Sequence, residues 1–84
     1  MVIFSVTRDG FKELEPIILT GKHPLWVGAG VLTEPEILQM RENGIELTNL
    51  SYDIDPEDIA GIDCAIDTIA EHHPGQRIWL ERCL

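Results

Sequence analysis

Basic residues are scarce in this sequence. Six Lys and Arg stand against fifteen Asp and Glu, a formal net charge of −9 over 84 residues. Proteins that grip DNA or RNA phosphates need a basic stripe, because released counterions supply much of the affinity. No direct nucleic-acid binding is therefore expected. The same field repels anionic lipid surfaces, so no membrane partner is expected either. It favours a basic protein partner or cations, and at the least it keeps a small protein soluble.

Cysteine is nearly absent too. Cys64 and Cys83 are the only two and form no CxxC pair, which excludes a multiple-disulfide scaffold and leaves at most one bridge. No apolar run approaches the length of a membrane span. The opening "MVIFSVTRDG" lacks the basic region and long apolar segment of a secretory signal. The expectation is a cytoplasmic protein with reduced thiols. There is no internal repeat, linker or low-complexity tract, and 84 residues leave room for one core. Residues 1–84 read as a single compact domain.

What is present is a folded-protein composition, 44% apolar. "VIFSVT" (Val2–Thr7) is β-branched and apolar and reads as a strand. Phe11, Leu14, Ile17 and Ile18 have helical spacing, but Pro16 would break an interior helical bond. The pattern favours a loop through Gly10–Glu15 and a short strand at Ile17–Leu19, with a bent helix over Asp9–Leu19 as the alternative. A further strand is expected at Leu25–Ala29.

Thr33 then caps a helix, with Glu36 completing a capping box, Pro35 in the first turn and Gly44 as the stop. "IELTNLSY" (Ile45–Tyr52) reads as a half-buried strand. Asp55-Pro56-Glu57-Asp58 opens a second helix, whose residues Ile59, Ile62, Ile66, Ile69 and Ala70 line one buried face. Ile78–Leu84 is the last strand. The fold class is α/β (or α+β): a four- to five-stranded mixed or mainly parallel sheet with two principal helices. The C-terminal two-thirds run strand–helix–strand–helix–strand. Both helices on one side would leave the other sheet face open, a docking surface for Trp26 or Trp79.

Four motifs invite a chemical reading. Gly28-Ala29-Gly30 stands where nucleotide enzymes hold phosphate, but Glu34 and Glu36 already occupy the positive helix end, so a tight turn is the better reading. "DIDPEDIAGIDC" mimics a calcium loop, yet has Asp58 where glycine is needed and Cys64 where glutamate is needed. "EHHPG" carries His72 and His73, whose adjacent side chains diverge by about 100° on a helix. A metal or proton-transfer site there needs His23, Cys83 or an acid such as Glu81 brought in by the fold. Cys64 among acids is a poor nucleophile, and neither Ser5 nor Ser51 lies in a G-x-S-x-G elbow.

The leading expectation is a small acidic, non-enzymatic protein-binding or regulatory module, with no catalytic residue, metal ligand or cofactor assigned. Asp63, Asp67 and Glu71, four apart, form an acidic ridge that steers a basic partner, and Trp26 or Trp79 anchors it. A homodimer covering the open face is its simplest version. The alternative is a small enzyme or metal-binding domain using His72, His73 and His23.

Overall fold

The architecture is that of a computed structural model, which describes residues 1–82. Seven elements alternate without exception: β1 (Val2–Ser5), α1 (Arg8–Ile18), β2 (Leu25–Val27), α2 (Glu34–Glu42), β3 (Leu47–Asn49), α3 (Ile59–His72) and β4 (Ile78–Glu81). The four strands form one sheet in the order β3-β2-β1-β4, every pair parallel. The α/β class is as expected. Among the described residues the sheet is parallel throughout, with four strands and three helices.

The third helix corrects the favoured loop-and-strand reading of residues 10–19 and agrees with the alternative, a helix through Pro16. Thr7 caps α1 by accepting the Gly10 N–H, and the helix runs through Pro16 without a break in the element. Burial explains the tolerance. Phe11 and Ile18 are buried beneath α1, with Leu14 packed against the same cluster. Burying Phe and Ile is worth roughly 1.5–3 kcal/mol each, enough to offset a proline cost of about 3 kcal/mol. Ile17, expected in a strand, lies on the exposed side.

The other elements keep their expected places but are shorter. Thr33 and Glu36 form the reciprocal capping box, and Gly44 takes the left-handed φ of 82° that ends α2. At α3 the cap is Asp58, the last residue of the Asp55–Asp58 stretch, so the helix starts after it; Asp55 makes a turn, accepting N–H groups from Glu57 and Asp58. The stripe that packs on the sheet is narrower than expected. Ile62, Ala65 and Ile69 are buried, whereas Ile59 is 61% exposed and Ala70 is exposed. β4 ends at Glu81, and the Cys83–Leu84 part of the expected last strand lies outside the described residues.

Neither sheet face is left bare of helix. β1 to β2 to β3 steps one way across the sheet, while β3 to β4 returns over β2 and β1 to the far edge. Crossovers of one hand then put α3 opposite α1 and α2. Two core clusters record this. Ile3, Leu25, Val27 and Leu47 meet α1 and α2, and Val2, Phe4 and Trp26 meet Ile62, Ala65 and Ile69 of α3. Trp26 aligns with Phe4 and Trp79 with Ile3, so the two tryptophans sit on opposite faces.

Candidate functional site

A doubly wound sheet binds its ligands outside the carboxyl ends of the strands where the winding reverses. Here that point lies between β1 and β4. It is filled by the chain itself. Glu81, at the end of β4 and only 9% exposed, turns its carboxylate to the N-terminus of α1. Ser5 Oγ donates to its Oε1 at 2.6 Å, the Thr7 N–H to Oε1 at 3.2 Å, and Thr7 Oγ1 to Oε2 at 2.6 Å. The Thr7 hydroxyl in turn accepts the Gly10 N–H at 3.1 Å. A carboxylate seated on these donors, at a positive helix end, satisfies the groups that an anionic ligand would seek.

The second glycine-rich connection is closed in the same manner. Gly30 adopts φ 84°, Val31 N–H donates to Gly28 O, and Ala29 N–H donates to Tyr52 O, which makes the stretch a turn. Glu36 accepts the Thr33 N–H at 2.8 Å and receives both Nη atoms of Arg8, at 2.8 and 2.9 Å. Arg8 also donates to Val31 O at 3.0 Å. The Arg8 guanidinium, followed by the Thr33 amide, lowers the Glu36 carboxyl from 4.5 to about 2. Sequence places no cation near this turn; the fold brings Arg8 to it. Asp58 caps the third helix. Each helix thus ends on a carboxylate of its own chain.

The histidines support the core. Trp26, expected as a possible surface anchor, is 5% exposed and donates its indole N–H to His73 Nε2 at 3.2 Å. The His72 ring lies 5.5 Å from the Trp26 ring, tilted by 40°, and His73 meets it edge-on at 6.0 Å. His73 Nε2 is therefore engaged as an acceptor. His23 stands just before β2, and its Nδ1 is buried without a hydrogen-bond partner. Among the described residues, no three His, Cys, Asp or Glu side chains converge in a way that holds a metal. Glu81 belongs to the carboxyl end of β4, while His72 and His73 precede its start, so the fold does not join them. Cys64 is exposed on α3, and Cys83 lies outside the described residues.

The aromatic half of the expected docking surface rests on Trp79 alone. It is 53% exposed, on β4 at the sheet edge. It lines a shallow apolar cleft of about 50 Å³ with Met1, Ile3, Leu14 and Ile17. On the other face of β4, Ile78 and Leu80 are half-buried and pack against the same cluster as Ile66 of α3. Asp63, three residues before Ile66, and Asp67, directly after it, are exposed, as is Glu71. At about 100° per residue, Asp63 and Asp67 lie about 60° and 100° around the helix from Ile66, on the same side of it.

Glu81 is the residue that sequence reasoning undervalued. Its signal is faint: an acid at the end of an apolar strand, read together with a small residue in the first turn of α1. No protein-family model matches the chain, and comparison with curated proteins and with solved structures gives no match.

Proposed function

We propose that this chain is a small acidic protein-binding module whose docking surface is the β4 edge. The observation that carries the reading is Trp79, a half-exposed tryptophan on the outermost strand, set beside Ile17 and Met1. Tryptophan is the side chain most enriched among residues that dominate binding energy, and solvent exposure of its ring is unfavourable in a lone domain.

Two further features support it. Glu81 fills the crevice where a sheet of this winding usually takes a small ligand, which turns attention from chemistry at that point to contact elsewhere. Asp63, Asp67 and Glu71 stand exposed on the helix that borders the other side of β4, and they make a basic partner the complementary one. The apolar centre holds the partner; the acids guide its approach.

The test uses protein–protein capture from extract at rising salt, with the chain, Trp79→Lys and the charge reversal Asp67→Lys compared. A partner retained by the chain, lost with Trp79→Lys and weakened with Asp67→Lys is expected. Equal capture by all three contradicts the reading. Self-association of the purified chain through the same edge, measured by sedimentation and abolished by Trp79→Lys, identifies a second copy as the partner instead.

A further inference from the structure

The β4 edge is an edge of backbone as well as of side chains. Val2 N–H donates to Arg77 O at 2.7 Å and Val6 N–H to Glu81 O at 3.1 Å. Residues 77 and 81 therefore turn their backbone groups toward β1, and by alternation so does Trp79. Ile78 and Leu80 turn theirs outward. Among the described residues β4 pairs with β1 alone.

Natural sheets protect such edges with charges, prolines or a covering element. This one carries Ile78, Trp79 and Leu80 in a row, all at least partly exposed. The opposite edge strand, β3, spans only Leu47–Asn49, and its exposed end is the polar Asn49. The two edges are not equivalent.

Resting on the reading that this edge is the docking surface, we propose that the partner binds as an added strand. It pairs with the outward backbone groups of Ile78 and Leu80 and alternates apolar and basic residues. Its apolar residues lie on the Trp79 face, extending the cleft of Met1, Leu14 and Ile17. Its Lys or Arg residues lie on the α3 face, with their aliphatic stems along Ile66 and the exposed Ile59. Their charged ends meet Asp63 and Asp67. Arg77 and Arg82 bracket the strand, and Arg82 is turned back to Pro56 O at 3.1 Å. The basic residues of the partner are thus directed to the middle of the strand, opposite the acids, rather than to its ends.

The probe is a synthetic peptide alternating valine and lysine, titrated into isotopically labelled protein by NMR, beside a peptide alternating valine and glutamate. The expected result is shifted resonances and slowed exchange at the Ile78 and Leu80 amides with the lysine peptide only. Leu80→Pro removes an outward N–H and leaves the β1 ladder intact, and it should weaken binding at least tenfold. N-methylating alternate residues of the peptide should do the same without touching the protein. No binding by the lysine peptide, shifts away from β4, or equal binding of the N-methylated peptide overturns strand addition. If that happens while Trp79→Lys still abolishes capture from extract, the docking surface stands and only its strand-pairing mode is wrong.

Discussion

The Cβ that any residue but glycine carries at position 10 falls on the carboxylate of Glu81. The two are far apart in sequence and meet at the winding reversal of the sheet. The carboxylate is the end of a flexible side chain, but its hydrogen bonds to Ser5 and Thr7 hold it there. Gly10→Ala ordinarily gains up to about 1 kcal/mol of helix propensity. Here it should lose about 2 kcal/mol, because the displaced carboxylate gives up its hydrogen bonds from the Ser5 and Thr7 hydroxyls. Chemical denaturation checks this, and a double-mutant cycle locates the cause: in a Glu81→Ala background, Gly10→Ala should become neutral or stabilising.

Thr7 performs two tasks with one hydroxyl, accepting from the Gly10 N–H and donating to Glu81 Oε2. Thr7→Val removes both and should cost about 2 kcal/mol, from a lost cap and a lost charge-assisted bond. Thr7→Ser retains both and should cost well under half as much. Equal losses in the two variants would point to the methyl group and away from the hydroxyl.

Much of this framework is legible in the sequence, and the boundary is physical. Thr33, Glu36 and Gly44 are local signals, spaced as one helix requires, and they appear in their expected roles. Pro16 is also a local signal, and it points the wrong way. The burial of Phe11 and Ile18 that overrides it depends on strands distant in sequence. The acids of α3 are exposed where the periodicity puts them. The fates of Trp26 and Trp79 depend on which strand is central and which lies at the edge. Strand order is a non-local property that alternation within one strand does not encode.

Acid should weaken the Arg8–Glu36 clamp in a defined window. The Glu36 carboxyl lies at about 2 in the folded chain against an ordinary 4.5, so the folded state favours its ionised form. Its contribution is complete above the unfolded value and is lost as pH falls from about 4.5 toward 2. Glu36→Gln keeps an acceptor for the Thr33 amide but has no charge to titrate. Denaturant midpoints measured across that range should fall less steeply in Glu36→Gln than in the parent. Identical slopes would mean that the clamp does not form in solution.

Trp26 reports on His73. Protonated imidazole has no lone pair at Nε2 and cannot accept the indole N–H, so the bond of 3.2 Å requires neutral His73. In a Trp79→Phe protein, where emission comes from Trp26 alone, His73→Phe removes the acceptor of the indole N–H and should shift the fluorescence. His73→Gln preserves an acceptor and should leave the emission close to that of the parent.

Trp79 carries the functional account, and one comparison tests it most directly. Capture from extract is quantified with the chain, with Trp79→Lys, and with Leu38→Lys, which alters a comparably exposed apolar residue on α2. A stoichiometric basic partner should be lost with Trp79→Lys and kept with Leu38→Lys. Retention by Trp79→Lys, or equal loss in both variants, would contradict it.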